Sequence, residues 1–234
     1  MRLVTANIGR KQNVQQTRAD FETIRRLKGI VGFQEIDEEP DPAPEHDFLR
    51  AVLGNGYSLK AMGTRVPIAV PKEYEVLYAK TVYGCDGVKK WSPPRFLTVV
   101  KVKKKETLVD KALRRTQKAF IVINVHYPAG GYHGDRPAAA KKELKNRWDE
   151  LFVAHKHLIK TYVDKGYTVF WTGDVNRTDM PKVHPREVQV VTIGIDSVSY
   201  IEGDIAVKVK RRGHANLYSD HNAQYADFDL TVKK

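Results

Sequence analysis

Glu35, Asp174, Asp220, Asn7 and Asn176 are hard oxygen donors, and each stands at the end of a short apolar run or in the loop beside one. Such ligands suit Mg²⁺, Mn²⁺ or Ca²⁺ rather than Zn²⁺. Asp174 and Asn176 are two apart in Thr172-Gly173-Asp174-Val175-Asn176. At an extended strand end that spacing puts both side chains on one side. A carboxamide beside a carboxylate can donate N–H to a phosphoryl oxygen that a second carboxylate would repel. His126 closes the run 120–125, and His221 follows Asp220. His221 can take a proton from water if a carboxylate such as Asp196 holds its other nitrogen. A hard cation, a histidine base and amide donors together describe phosphoester hydrolysis. Taken singly, each residue also fits an ordinary role. Asn7 and the 173–176 block fit turns, Glu35 and Asp220-His221 fit solvated loops, and His126 fits a buried, hydrogen-bonded core histidine. The set in this order is more specific than any member.

Strand signals must carry these residues. The segments 3–6, 30–33, 67–70, 76–78, 96–100, 120–125, 167–171, 190–193, 205–207 and 228–230 are short β-branched or aromatic runs bounded by Gly, Pro or charge. Several are apolar throughout, which is expected when both faces of a strand are covered. Two helical stripes stand out. One spans 13–28 with Val14, Phe21, Ile24 and Leu27. The other spans 136–164 with Leu144, Trp148, Leu151, Phe152, His155, Leu158, Ile159 and Tyr162. Asp135 reads as the N-cap of the long helix, Pro137 as its first turn and Gly166 as its stop. A short helix is predicted near 46–53. Strands outnumber helices, and no linker or repeat interrupts the chain, so the reading is one domain over 1–234. Its architecture is a two-layered β core with helices outside. The Pro-rich acidic stretch 37–45 reads as a surface loop.

The chain has 234 residues, with 40 Lys plus Arg against 28 Asp plus Glu, for a net charge of +12. No run approaches the ~20 apolar residues of a spanning helix, so no membrane partner is expected. Recurrent apolar runs argue against disorder. A single cysteine, Cys85, excludes an intrachain disulfide and reads as structural. The N-terminus reads as a strand rather than a signal peptide, so the expected compartment is cytoplasmic, with a virus-encoded origin as one route. Segment 61–120 carries 14 basic and 5 acidic residues, and Lys101-Val102-Lys103-Lys104-Lys105, Arg114-Arg115 and Lys208-Val209-Lys210-Arg211-Arg212 are its clusters and a later one. Such a field attracts a polyanion such as nucleic acid, although a basic surface also simply solubilises. Trp91 and Tyr83 flank Lys89-Lys90 and offer stacking faces, while aromatic residues at strand boundaries more often belong to a core. His155 and His157 diverge on a helix and do not make a metal pair.

The blocks Thr5-Ala6-Asn7-Ile8, Gly32-Phe33-Gln34-Glu35, Asn124-Val125-His126, Thr172-Gly173-Asp174-Val175-Asn176, Ile195-Asp196-Ser197-Val198 and Ser219-Asp220-His221 occur in this order. In this the chain resembles the endonuclease/exonuclease/phosphatase superfamily, the deoxyribonuclease I-like proteins. The resemblance implies a four-layer αββα sandwich of two packed mixed sheets flanked by helices, and metal-dependent phosphoester cleavage with Mg²⁺, Mn²⁺ or Ca²⁺. By that analogy Glu35 is the principal metal ligand, with Asn7 and Asp220 nearby. Asp174 and Asn176 position the nucleophile and hold the scissile phosphate. His221 is the base or a phosphate-side imidazole, oriented by Asp196, and His126 is the second imidazole. Arg95 resembles a phosphate-contacting arginine. Two departures are visible: Asn222-Ala223-Gln224 replaces the proline that often follows the Asp-His pair, and the imidazole at 126 differs from the amide of abasic-site endonucleases. The expected function is a monomeric nuclease that nicks DNA. Inositol phosphate, an RNA 3′ end and abasic-site DNA are alternative substrates, and a catalytically silent DNA-binding module is the alternative of another class.

Overall fold

Strands that are apolar on both faces need cover on both sides, and the fold supplies it in four layers. The computed structural model describes residues 1–9, 13–36, 45–112 and 116–233. Of the acidic loop expected at 37–45, residues 37–44 lie outside them, as does the Arg114-Arg115 cluster, and Glu45 opens a helix instead. The chain runs β1 (Arg2–Asn7), α1 (Val14–Leu27), β2 (Ile30–Gln34), α2 (Glu45–Leu53), β3 (Tyr57–Lys60) and β4 (Ile68–Pro71). It continues through β5 (Tyr74–Cys85), β6 (Arg95–Lys104), α3 (Leu108–Ala112), β7 (Ala119–His126) and α4 (Ala138–Val163). Then follow β8 (Val169–Asp174), β9 (Val188–Ile193), β10 (Asp196–Ile201), β11 (Ile205–Ala215) and β12 (Ala223–Val232).

One sheet has the order β11-β12-β1-β2-β4-β3, the other β5-β6-β7-β8-β10-β9. Each sheet contains one parallel pair, β1 with β2 and β7 with β8, and its other pairings are antiparallel. A parallel pair needs a crossover, and α1 and α4 provide the two. β1 lies against β8 and β2 against β7 across the sandwich. The inter-sheet core includes Leu3, Ile30, Ile68, Val100, Val122, Phe170 and Phe228. The first sheet's outer face buries Val4, Val31 and Phe33 against Phe21, Ile24 and Leu49 of α1 and α2. The second buries Ile121, Ile123 and Trp171 against Trp148, Leu151 and Ile159 of α4. The expected mixed-sheet sandwich with flanking helices is therefore the fold. Among the described residues no helix is long and apolar enough to cross a membrane.

Helix ends follow local chemistry. Asn13 caps α1 in a reciprocal box with Gln16. The long helix starts later than the Asp135 reading. Its N-cap is Pro137, held extended at φ −52° and ψ 141°, and no side chain caps it. Gly166 ends it as expected, in the left-handed region at φ 85°, with its N–H on the Val163 carbonyl. Two strands escaped the sequence reading. β3 is short, and β10 alternates Ser197 and Ser199 with apolar residues although both its faces are buried.

Sheet-to-sheet approach is closest at Gly32, where a Cβ would strike the Thr172 hydroxyl and meet Asn124 Oδ1 at 2.5 Å. Asn124 crosses the gap. Its Nδ2 donates to the Phe33 carbonyl at 2.6 Å, and its Oδ1 accepts from Gln34 Nε2 at 2.6 Å and from Thr172 Oγ1 at 3.1 Å. This buried polar tie pins the relative height of β2, β7 and β8, the strands whose ends carry the site.

Candidate active site

Parallel strands joined by a crossover end on the same edge. Asn7, Glu35, His126 and Asp174 therefore lie at or just past four strand ends on one rim of the sandwich. Antiparallel neighbours begin where those strands finish. Asp196, the first residue of β10, is registered with Asp174, the last of β8. β12 starts beside the end of β1, with Gln224 opposite Thr5, so the preceding loop delivers Asp220 and His221 to the same rim. Arg95 opens β6 at the same edge. Topology alone thus gathers residues from seven segments.

Asp174 is the common member. It is buried, and its Oδ2 accepts from Asn7 Nδ2 at 2.9 Å. The same oxygen lies 3.7 Å from His126 Nε2 and 4.0 Å from His221 Nε2. Glu35 Oε1 is 3.6 Å from His126 Nε2 and 3.3 Å from Asn7 Nδ2. Two imidazoles therefore point their Nε2 atoms at one carboxylate, and outside partners set them differently. His221 Nδ1 is 2.9 Å from Asp196 Oδ2. A carboxylate only accepts, so this Nδ1 carries the proton and a neutral His221 presents its lone pair at Nε2. His126 Nδ1 is 2.9 Å from Arg95 Nη1. Guanidinium only donates, so this Nδ1 accepts and the proton sits on Nε2. The pair is built as one proton acceptor and one proton donor.

Charge follows burial and partner. Burial pushes the Asp174 carboxyl up to about 7, with help from the Asp196 charge and opposition from His221 and the Asn176 and Asn7 N–H groups. Burial alone would depress His221, but the hydrogen bond and charge of Asp196, with Asp174 and Asp220, outweigh it and raise the imidazole to about 9. His155 contrasts with both. It is fully buried against Trp171, bonded to the Tyr127 hydroxyl and pushed down to about 3 by burial, which makes it a neutral core histidine.

The donor set fits a hard divalent ion on one side of the site. Glu35 and Asp174 offer carboxylate oxygens within 4.8 Å of each other, as coordination by one ion requires. His126 lies in the same group, but its Nε2 bears the proton imposed by Arg95 and cannot be a ligand. Five of the expected residues stand differently from the sequence reading. Asp174 stands in one group with Glu35. Asp220 is exposed and falls outside both titratable groups of the site. The Asn7 amide oxygen accepts from Gly9 N at 3.1 Å, so its NH₂ brackets the two carboxylates instead of its oxygen binding metal. Asn176 is not in extended geometry beside Asp174. It turns into the left-handed region at φ 49°, donates its backbone N–H to Asp174 Oδ1 and gives its Nδ2 to the Tyr127 carbonyl. Arg95 is 5% exposed and bonds Ser92 and His126.

Sequence reasoning missed Asp20. It sits buried on α1, and its carboxylate accepts from Tyr218 N at 2.8 Å and Ser219 N at 3.1 Å. Ser219 Oγ in turn donates to the Asn7 carbonyl at 2.9 Å. These bonds fasten the loop that carries His221. Asp20→Ala leaves one buried and one half-buried N–H group without this acceptor and is expected to destabilise the fold by about 1–3 kcal/mol. Urea denaturation measures this, and an unchanged midpoint would remove Asp20 from the support of the loop.

Comparison with known proteins agrees with this geometry at the level of fold. No protein-family model and no curated protein sequence matches the chain. Solved structures do. A truncated TDP2 from Caenorhabditis elegans superimposes with a TM-score of 0.66 at 14% identity, covering 97% of this chain and 96% of the other. An endonuclease/exonuclease/phosphatase family protein from Bacteroides thetaiotaomicron gives 0.67 at 12% identity, with 98% and 97% covered. The chain has the endonuclease/exonuclease/phosphatase fold. The human Nocturnin catalytic domain shares it, at 0.65 and 13% identity over 99% of this chain and 93% of that domain. In this fold the rim at the ends of the two parallel pairs is where the residues expected from sequence meet.

Proposed function

We propose that this protein is a divalent-metal-dependent phosphodiesterase that cleaves nucleic acid and nicks DNA. The observation that carries the reading is the opposed pair of imidazoles, one donor and one acceptor, facing a buried carboxylate within reach of Glu35. Glu35 and Asp174 would hold the ion, which when bound supplies charge neutralisation at the phosphoryl oxygens. His221 Nε2 takes the proton from the attacking water, while Asp196 keeps Nδ1 protonated and steadies the imidazolium that results. His126 Nε2–H donates to a phosphoryl oxygen whose charge grows in the transition state. Asn7 keeps the two carboxylates in register, and Arg95 prevents His126 from adopting the wrong tautomer.

The net charge of +12 supports a polyanionic substrate. The Lys101–Lys105 cluster does not border the site: Lys104 closes β6, nine residues and roughly 30 Å from Arg95 at ~3.3 Å per residue. Supercoiled plasmid with Mg²⁺ or Mn²⁺ tests the reading. Nicked circles are expected, and EDTA is expected to suppress them. Absence of nicking by pure protein across Mg²⁺, Mn²⁺ and Ca²⁺ would overturn it. Tight DNA binding without cleavage would leave a binding module on this fold.

A further inference from the structure

Beside the site lies a groove of about 410 Å³, lined by Arg65, Lys89, Lys90, Trp91, Ser92 and Pro94 among others, and among the described residues no carboxylate lines it. A tight turn builds it. Val88 N donates to the Ser92 carbonyl at 2.7 Å, and Trp91 N and Ser92 N both donate to the Val88 carbonyl at 2.9 Å. Lys90 takes the left-handed region at φ 68°, a conformation that Gly or Asn adopts more easily. Two prolines follow the turn and stiffen its exit. Trp91 is 38% exposed, and the Arg136 guanidinium stands 4.8 Å from its ring centroid. Two further links tie this plate to the chemistry. Ser92 Oγ accepts from Arg95 Nε, and Arg95 Nη1 bonds His126. Arg136 also lines the neighbouring hollow with Asn176 and Ile195, the residue before Asp196.

We propose that this groove is the subsite for an unpaired nucleotide next to the scissile phosphate, its base stacked on the Trp91–Arg136 plate and its phosphate met by Lys89 and Lys90. The inference rests on the phosphodiesterase reading and extends it to a preference for single-stranded or frayed nucleic acid. A base inside a duplex has both faces covered and cannot stack on a side chain. Stacking on an aromatic or guanidinium plane accepts any base, and flanking lysines follow the backbone charge. A lipid surface fits less well. An inserting tryptophan needs apolar neighbours, and this one is ringed by cations and prolines.

Trp91 is also the reporter. The other two tryptophans, Trp148 and Trp171, are 1% and 0% exposed. Titrating the EDTA-treated protein with a short single-stranded oligodeoxynucleotide is expected to quench its tryptophan emission saturably. The matching duplex and phosphatidylserine vesicles are expected to quench it much less. By anisotropy of a fluorescein-labelled strand, Trp91→Ala is expected to weaken binding about 10-fold or more, with Trp91→Tyr restoring most of it. Lys89→Gln with Lys90→Gln is expected to lower the salt slope by about two. Binding without quenching, equal binding by Trp91→Ala, or quenching by vesicles and not by the strand would each overturn the proposal. A quenched protein that cleaves neither plasmid nor the single strand with Mg²⁺ or Mn²⁺ would sink the hydrolase reading and leave the subsite. A nicking protein that is never quenched would do the reverse.

Discussion

Asp174→Asn is expected to abolish turnover, by on the order of 10³-fold or more, and at the same time to stabilise the metal-free protein at alkaline pH. Among the described residues Asp174 faces both imidazoles, so in the proposed mechanism its charge would serve the ion and the base together. The amide keeps the acceptor for Asn176 N and sets its NH₂ against Asn7 Nδ2 where Oδ2 accepted, but it removes a buried charge whose cost exceeds that lost bond. The pH dependence has a definite sign. The Asp174 carboxyl stands at about 7 against an ordinary 3.8, so the folded chain binds the proton more tightly than the unfolded one. Its contribution to stability is complete below about pH 4 and is lost as pH rises through 7. His221 stands at about 9 against 6.5, so its contribution is complete below 6.5 and is lost as pH rises through 9. Melting temperature in EDTA should fall continuously from about pH 4 to 9. Asp174→Asn should remove the lower part of that fall, and it also withdraws one of the charges that holds His221 up. An Asp174→Asn variant that melts no higher than wild type at pH 8 would contradict the buried-charge account, and one that retains turnover would contradict the site.

Asp196→Asn is expected to cost on the order of 10³–10⁴-fold in kcat with little change in fold. Its amide can donate to His221 Nδ1, which favours the tautomer with the proton on Nε2, and that nitrogen can no longer accept from water. The variant also loses the charge and hydrogen bond that hold the imidazole near 9. The ascending limb of the pH–rate profile, set in wild type by loss of the His221 proton, should therefore move down. A purely structural role for Asp196 would lower the rate without moving the limb. An unchanged profile and rate would remove His221 as the base.

Much of this site is legible in the residues because strand ends carry it. Apolar runs with both faces covered mark β1, β2, β7 and β8, and the residue that breaks each run is a polar one at the rim. Asn7, His126 and Asp174 end three of these strands directly. The reading fails where the backbone leaves regular geometry. Glu35 and Asn176 both have positive φ, at 60° and 49°, so strand alternation does not say where they point. Glu35 is turned inward to the carboxylate pair, and Asn176 is turned onto the Tyr127 carbonyl. Arg95 is ambiguous for another reason. A basic residue opening a strand reads as a surface contact, and only the packing of β6 on β7 reveals that it meets His126. Asp20 is hidden by distance, since its partners lie 198 and 199 residues away and its neighbour Phe21 reads as core. Trp91 reads more often as core than as platform until its exposure is known. The basic cluster at 101–105 shows the converse, a strong sequence signal placed at the far end of its strand.

In the proposed mechanism Glu35 and Asp174 hold one hard divalent ion in front of two oppositely set imidazoles. Electron paramagnetic resonance of Mn²⁺ titrated into chelator-stripped protein tests it directly. The free-ion signal should vanish as the wild type takes up Mn²⁺ and should persist with Glu35→Gln or Asp174→Asn at the same concentrations. Uptake by both variants equal to the wild type, or no uptake by the wild type, would contradict it.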